Sequence, residues 1–330
     1  MASFPITYSD QAPETKEDAI ICVAAYDRKD HRKWVIHFPD SEHEQICLEL
    51  DVESCFRFRQ VNRYAREAVT DLRAYRAVAT HALDCFAALL RTEIGWIHTF
   101  QDVYAQLCTQ ECQRCGTGFG TFLYLPTLAR RCRLCDDAIE YRDGGVVPVT
   151  LNSLAAKSGI SKAEIRRMGV PVVRTLRGKY TIGARDHRRR VCLVDNFQAL
   201  DIMERSMGKE LQEGLRRWYG PLSLNELTLN MAMVKFPFYV PSTDKAYHGV
   251  NCAGCAVRYE VSWDLRLPGK GRFQELEEVH TRSGFLEHFK KCAAAEYLWV
   301  MSKQGSVPFD RHIPRIVKNG GPSLVRAGWV

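Results

Sequence analysis

The pattern of apolar and polar positions becomes helical from Ile46 onwards. From Ser54 the apolar residues recur at spacings of three and four with basic residues between them, which is typical of a helix that buries one stripe. Ser54 is the predicted N-cap, because its hydroxyl can accept a hydrogen bond from a free backbone N–H. The stripe consists of Phe58, Val61, Ala65, Ala68 and Leu72.

Two further helices are predicted by the same periodicity. One spans roughly residues 75–91. The other begins at Thr99, where Asp102 completes a pair of the capping-box kind. The residues that the first of them would bury are Val78, Ala82, Phe86, Leu89 and Leu90.

The second half of the chain mixes predicted helices with short extended segments. A long helix is expected from Asp195 to Trp218, whereas residues 121–125 and 256–263 are predicted strands. Residues 235–241 are expected to form an irregular extended connection, because prolines cannot sit in a central strand. The predicted fold class is therefore α+β and mostly helical.

Four cysteines form the first candidate site. Cys112 and Cys115 make one Cys-x-x-Cys turn, and after sixteen intervening residues Cys132 and Cys135 make a second. Two such turns present four thiolates, which is the ligand set of a closed tetrahedral zinc site. The plain alternative is four unrelated buried cysteines. A redox-active pair is a lesser rival, because it needs a thioredoxin-like βαβ pattern that this sequence lacks.

A second metal-ligand set lies towards the C-terminus. Cys252 and Cys255 form another Cys-x-x-Cys turn. His288 and Cys292 are four residues apart and would share one face of a helix capped by Ser283. Together these residues predict a zinc site of three cysteines and one histidine.

Other interpretations of the metal-ligand residues stay open. His280 is an alternative ligand, although no helical register connects it to Cys292. The histidine at position 288 could instead be an exposed helix residue, and Cys292 a small buried side chain. Cys108 lies close enough to the first site in sequence to be a spare ligand.

Catalysis is not expected at either predicted zinc site. Each site would be filled by four protein ligands, which leaves no position for an activated water. The sequence also lacks a phosphate-binding glycine loop after a strand. Both ions are therefore expected to be structural.

Composition and charge narrow the class of protein. The 330 residues suffice for two or three compact units, and the net charge of +7 permits contact with nucleic acid or acidic partners without requiring it. The N-terminus lacks the pattern of a signal peptide, and the longest apolar run near it is too short to span a bilayer. The thirteen cysteines are therefore expected to be free or metal-bound in a reducing intracellular compartment, the cytoplasm or the nucleus, without a membrane.

The residues around the first helix and the cysteine turns resemble a known family. Residues 48–69, above all Phe56-Arg-Phe-Arg-Gln-Val-Asn-Arg63, resemble the second half of an F-box. The cysteine turns, Phe122-Leu-Tyr-Leu-Pro126 and Gly284-Phe-Leu-Glu-His-Phe289 are similar to one group of fungal F-box proteins. The chain departs from the family at residues 38–46, which are polar where the family has a Leu-Pro start and an apolar first helix.

The resemblance implies a function and a docking face. In that family a small orthogonal helical bundle binds the Skp adaptor of a cullin–RING ubiquitin ligase, so this chain would be a substrate-recognition adaptor for an unknown protein. The residues that would shape the bundle and its docking face are Leu50, Phe56, Phe58, Val61 and Val69. The alternative is that this segment is merely a core helix of the zinc module.

Residues 150–168 carry a helix-turn-helix pattern. Gly159 sits at the turn position, and Ser161 would cap the second helix. This pattern makes a zinc-stabilised nucleic-acid-binding regulator using residues 150–190 the alternative function, and a non-docking scaffold is the third. A helical hairpin with a solvated basic surface explains the same residues and is favoured, because charge runs usually face water. The candidate nucleic-acid contacts are Lys162, Arg166 and Arg167.

The predicted regions follow from these motifs. They are a weakly organised segment (1–45), an F-box-like helical region (46–108), a four-cysteine knuckle (109–145), a helical region with the hairpin (146–245), a zinc module with three cysteines and one histidine (246–300) and a flexible tail (301–330).

Overall fold

The protein is described from a computed structural model. The described residues are 40–132, 135, 148–180, 187–211, 213–216, 225–264, 275–276, 278–304, 306 and 326–327. They form two compact units, the first made of residues 40–80 and 95–104, the second of residues 81–94 and those from 105 onwards. The predictions for the N-terminal segment up to residue 39 and for most of the C-terminal tail lie outside the described residues.

Helices and short strands are mixed along the chain, in agreement with the predicted α+β class. The helices are α1 (Asp40–Glu49), α2 (Val52–Phe58), α3 (Arg63–Asp71), α4 (Arg73–His81), α5 (Leu83–Arg91), α6 (Phe100–Leu107), α7 (Leu151–Ser158), α8 (Lys162–Arg167), α9 (Asn196–Met207), α10 (Glu213–Arg216), α11 (Asn225–Met231), α12 (Ala253–Asp264), α13 (Arg282–Phe289) and α14 (Ala293–Met301). No helix among the described residues has both the length and the apolar character needed to cross a membrane.

The strands are short and form small sheets. They are β1 (Phe122–Tyr124), β2 (Ala129–Arg131), β3 (Pro148–Thr150), β4 (Val173–Arg174), β5 (Gly178–Lys179), β6 (Cys192–Asp195), β7 (Met233–Lys235), β8 (Phe238–Val240), β9 (Lys245–Tyr247), β10 (Val250–Asn251), β11 (Val279–His280) and β12 (Arg326–Ala327). The two three-stranded sheets have the orders β2-β1-β7 and β3-β6-β4, and every pairing in them is antiparallel.

In the first unit, two short helices replace the single basic helix predicted from Ser54. Asp51, rather than Ser54, caps α2, because its carboxylate accepts a hydrogen bond from the Ser54 N–H at 2.8 Å. Asn62 caps α3 in the same way through the Ala65 N–H at 2.7 Å. The residues between the helices leave the helical register, so Val61 is 67% exposed instead of lying on a buried stripe.

The helix predicted over residues 75–91 is also two helices, α4 and α5. They are separated at Ala82, whose backbone is not helical (φ −133°, ψ 38°) and which makes no side-chain cap. Val78, Ala82 and Phe86 are nevertheless all buried at a spacing of four. The apolar periodicity of the sequence therefore gives no indication of this break.

The helix predicted at Thr99 is confirmed as α6. The Asp102 carboxylate accepts from the Thr99 N–H at 2.8 Å, and the Thr99 hydroxyl accepts from the Asp102 N–H at 3.1 Å. This reciprocal pair satisfies two backbone donors that the helix itself leaves free.

In the second unit, the β2-β1-β7 sheet encloses a buried arginine, Arg130. Its guanidinium donates to the carbonyl oxygens of Gln106 and Pro237 at 2.9 Å and of Phe236 at 3.2 Å. It also lies over the rings of Phe119 and Phe236. Burial lowers the pKa of Arg130 to about 10, so the group stays charged at neutral pH. Arg130 thus joins the strand pair β1–β2 to the chain that follows β7.

Substituting Arg130 with lysine is expected to destabilise the protein by about 1–3 kcal/mol, because an ammonium group lacks the planar fork that reaches three carbonyl oxygens. Urea unfolding followed by circular dichroism measures the change. The exposed Arg167→Lys is the matched control and should change stability by less than about 0.5 kcal/mol. Equal effects in the two variants would contradict this role for Arg130.

The β3-β6-β4 sheet supports a helix-turn-helix made of α7 and α8. Ser161 caps α8 as predicted, and Glu164 completes a capping box with it. Gly159 ends α7 with a φ of 71°, a conformation that favours glycine. The core beneath these helices contains Val149, Leu151, Leu154, Ile165, Val170, Val194, Ala199, Leu200, Met203 and Leu215.

The long helix predicted from Asp195 to Trp218 is interrupted. Asp195 caps α9 by accepting from the Gln198 N–H at 2.9 Å, and α9 ends at Gly208, whose φ of 64° is left-handed. A separate short helix, α10, follows. Residues 217–218 lie outside the described residues.

The connection predicted over residues 235–241 contains strand structure on both sides of Pro237. Strand β7 precedes this proline and β8 follows it, and the two belong to different sheets. The missing N–H of Pro237 therefore interrupts no ladder of hydrogen bonds, which is why strands are tolerated here.

Candidate metal centres

The four cysteines of the first predicted site lie together. Their sulfur atoms are all within 4.8 Å of one another, and the Sγ atoms of Cys115 and Cys132 are 3.8 Å apart. Cys112 and Cys132 are buried, Cys135 is half-buried and Cys115 is exposed. As predicted from the sequence, these four residues form one group that could hold a metal ion.

Two glycines shape the first site. The Cys112 N–H donates to the Gly118 carbonyl, and the Gly116 N–H donates to the Cys112 carbonyl, both at 2.8 Å, so the chain folds back on itself. Gly116 has a φ of 69°, which favours glycine. A Cβ added at Gly118 would lie 3.2 Å from Cys132 Sγ and 3.3 Å from Cys115 Sγ. The missing side chain of Gly118 therefore leaves the space that the sulfur atoms occupy.

The second group is assembled from three helices. Cys252 immediately precedes α12, Cys255 lies in its first turn, His288 lies near the end of α13, and Cys292 is the N-cap of α14. Cys292 Sγ is 3.8 Å from the sulfur atoms of both Cys252 and Cys255. The Nε2 atom of His288 is 3.5 Å from Cys255 Sγ. All four ligand atoms lie within 4.8 Å of one another, as predicted for this group.

Two details predicted for the second site are wrong. Thr281, not Ser283, caps α13, and its hydroxyl accepts from the Gly284 N–H at 2.9 Å. Helix α13 also ends before Cys292, so His288 and Cys292 do not share a helix face. They still meet, because the turn between α13 and α14 places both side chains next to the Cys-x-x-Cys turn.

The segment predicted as a strand over residues 256–263 belongs to the helix α12. This helix packs against α14 at Gly254, where an added Cβ would lie 2.3 Å from the backbone nitrogen and 2.7 Å from the Cα of Ala295. The two backbones therefore touch at this point, and the contact brings the Cys-x-x-Cys turn to Cys292. A glycine between paired cysteines was the available sequence signal for such a close approach.

A third group of possible ligands overlaps the second. The ligand atoms of Glu278, His280 and His288 lie within 4.8 Å of one another. The His280 ring stacks on the His288 ring with centroids 4.6 Å apart, and His280 Nδ1 is 3.8 Å from the Glu278 carboxylate. His280 therefore lies against His288 and is not a member of the group with three cysteines.

In each cysteine group, a hydrogen bond between two thiols shifts their pKa values in opposite directions. The hydrogen bond from Cys132 lowers the pKa of Cys112 to about 4, and the same bond raises the pKa of Cys132. The hydrogen bond from Cys255 lowers the pKa of Cys252 to about 4, and the pKa of Cys255 rises in turn. Cys112 and Cys252 are thus thiolates at neutral pH, which is the form in which cysteine binds a divalent cation.

The distances fit tetrahedral zinc. Zinc–sulfur bonds of about 2.3 Å place two sulfur atoms about 3.8 Å apart, and a zinc–nitrogen bond of about 2.0 Å places nitrogen and sulfur about 3.5 Å apart. The sulfur atoms of Cys115 and Cys132, and those of Cys252 and Cys292, are 3.8 Å apart, and His288 Nε2 is 3.5 Å from Cys255 Sγ. A disulfide would need about 2.0 Å. Both groups could therefore bind zinc through four protein ligands.

Comparison with known proteins finds no match to this chain. No protein-family model, curated protein or solved structure matches this chain.

The residues of the predicted docking face differ in exposure. Val61 is 67% exposed, whereas Leu50, Phe56 and Phe58 are half-buried. Val69 is 0% exposed, so it can shape the core of the first unit but cannot touch a partner.

The remaining predicted residues occupy two other places. Lys162, Arg166 and Arg167 are all exposed on α8, as a nucleic-acid contact or a solvated face both require. Cys108, the predicted spare ligand, is half-buried at the end of α6 and is not part of the four-sulfur group.

Proposed function

We propose that this protein is a zinc-stabilised substrate-recognition adaptor of the F-box type. Its first unit would bind the Skp adaptor of a cullin-based ubiquitin ligase, and the chain would bind a substrate protein without catalysing a reaction. The observation that carries the proposal is the exposure of Val61 at the break between α2 and α3. This break lies inside the segment that resembles an F-box.

The first unit presents several apolar side chains to solvent. Ile46 is 44% exposed and Val61 is 67% exposed, and the half-buried Phe56 and Phe58 lie between them in sequence. Apolar side chains that remain in water mark interaction surfaces when they are concentrated in one small region. An adaptor with an apolar groove would remove them from water and so gain affinity.

Both metal ions are proposed to be structural zinc. The three cysteines of the second group are at least nine-tenths buried. Each group supplies four ligands, so a bound zinc would have no open position for chemistry. The sheets that the described residues of the second unit form have two or three strands each. Such small sheets have thin cores, and a structural zinc can add on the order of 10 kcal/mol to folding.

The variant Val61→Asp tests the docking face. A carboxylate at this position should weaken binding of a purified Skp-type adaptor by at least about tenfold, because the charge would have to leave water in an apolar interface. Co-purification and titration by isothermal calorimetry measure the loss.

Leu83→Asp is the matched control, since Leu83 is 59% exposed and lies in the second unit. We expect it to bind the adaptor like the unmodified chain. If the unmodified chain does not bind the adaptor, the proposed function fails. If Val61→Asp binds as tightly as Leu83→Asp, the docking face is somewhere else.

A further inference from the structure

Three arginines from separate segments meet at Cys192 in the second unit. Strand register pairs Arg174 of β4 with Cys192 of β6. The Nη2 atom of Arg166, on α8, is 3.6 Å from Cys192 Sγ. Arg190 precedes Cys192 by two residues. The fold therefore collects charges that are up to 24 positions apart in sequence.

Further exposed cations lie on α8 and in the segment before β6. Lys162 and Arg167 are exposed on α8, and Arg188 and Arg189 are exposed just before β6. Gly178 and His187, which lie between β4 and β6 in the chain, exchange backbone hydrogen bonds at 3.2 and 2.8 Å. We use the name basic edge for the exposed basic residues of α8, β4 and the segment before β6, which are Lys162, Arg166, Arg167, Arg174 and Arg188–Arg190.

Few carboxylates oppose the basic edge. The Glu93 carboxylate forms an ion pair with the Arg174 guanidinium at 2.7 Å and lies 3.9 Å from the Arg190 guanidinium. It therefore holds these two side chains in place. Glu164 is engaged in the capping box of α8. Asp195 is buried. Within the described parts of 148–195, Glu164 and Asp195 are the acidic residues, so the basic edge keeps a net positive charge.

We propose that the basic edge binds the phosphate backbone of double-stranded DNA. A helix-turn-helix that carries exposed basic residues on its second helix is suited to lie against a DNA groove. Arginine guanidinium groups match phosphate oxygens in a bidentate geometry. This binding is independent of the adaptor function proposed above.

Two observations favour DNA over a peptide or a membrane. No large apolar side chain is exposed in the described parts of 148–195, so the surface lacks the anchors that peptide and membrane binding use. Helix α8 has six residues and is about 9 Å long, which leaves little room to read bases. The expected affinity is therefore mostly electrostatic and weakly dependent on sequence.

The test measures binding of the full-length, zinc-loaded protein to a fluorescent 20-base-pair DNA duplex at 50 and 200 mM NaCl. With about four phosphate contacts, affinity should fall about 100-fold between these salt concentrations. The double variant Arg166→Ala/Arg167→Ala should bind at least about tenfold more weakly at 50 mM and lose about two units of the salt slope.

Arg57→Ala/Arg66→Ala removes the same charge from exposed positions of the first unit and is the control. We expect it, and Val61→Asp, to bind DNA as the unmodified protein does. Equal losses in the two double variants would overturn the basic edge as the site. Absence of binding at 50 mM, or at least tenfold tighter binding to duplex RNA or to single strands, would overturn the assignment to double-stranded DNA.

Discussion

Removing zinc is expected to unfold the second unit. The purified chain should contain about two zinc ions, and each can contribute on the order of 10 kcal/mol, which is comparable with the whole stability of a typical domain. Excess chelator at neutral pH should therefore abolish the cooperative thermal transition of this unit, and added zinc should restore it. Mass spectrometry measures the zinc content, and circular dichroism during heating measures the thermal transition.

Single-cysteine variants locate the zinc ions. Cys112→Ser should lower the zinc content from about two to about one, because it removes a buried ligand of the first group. Cys108→Ser is the matched control, since Cys108 is near in sequence but is not one of the four clustered sulfur atoms. We expect it to keep both ions. If the purified chain contains no zinc, or if it keeps its fold in excess chelator, the proposal of structural zinc fails.

Substituting Gly254 with alanine is expected to disrupt the second metal group from a position that offers no ligand. The added methyl would meet the backbone of Ala294 and Ala295 at 2.3–2.7 Å, and backbone atoms cannot rotate out of the way as a flexible side chain can. Helices α12 and α14 must therefore move apart. This separation should cost about 1–3 kcal/mol and weaken zinc binding at Cys252, Cys255, His288 and Cys292 by at least about tenfold. Competition with a coloured chelator measures the affinity.

The control for this prediction is Gly214→Ala. Gly214 lies in the helix α10, and a Cβ there would meet nothing within 4 Å. Alanine should leave zinc binding unchanged and raise stability by up to about 1 kcal/mol, because it favours helix more than glycine does. If Gly254→Ala binds zinc as tightly as Gly214→Ala, the close contact of the two helices does not position the cysteines.

Features encoded by near neighbours could be predicted from the sequence. The turn at Gly159, the cap at Ser161 and the pairing of Thr99 with Asp102 each depend on residues within three or four positions. Local sterics and short-range hydrogen bonds decide such features before any packing occurs.

Features that depend on packing were predicted less well. The apolar periodicity runs through Ala82 although the helix breaks there, and residues 256–263 suit a strand although they are helical. Short apolar runs are compatible with either state, so their neighbours in space decide. Ser54 was the predicted cap in this region, whereas Asp51 and Asn62 cap the two helices that form.

The sequence alone determined which residues carry the chemistry: three Cys-x-x-Cys turns, with His288 and Cys292 as partners for the last of them. Spacing is sufficient for this, because a tight turn presents two sulfur atoms wherever it occurs. Only the tertiary structure decided how these ligands meet, through the contact at Gly254 and the helix change before Cys292. It also brought the arginines together around Cys192. Apart from the glycine at position 254, backbone proximity between distant segments leaves little trace in residue type, so the partner segments could not be predicted from the sequence.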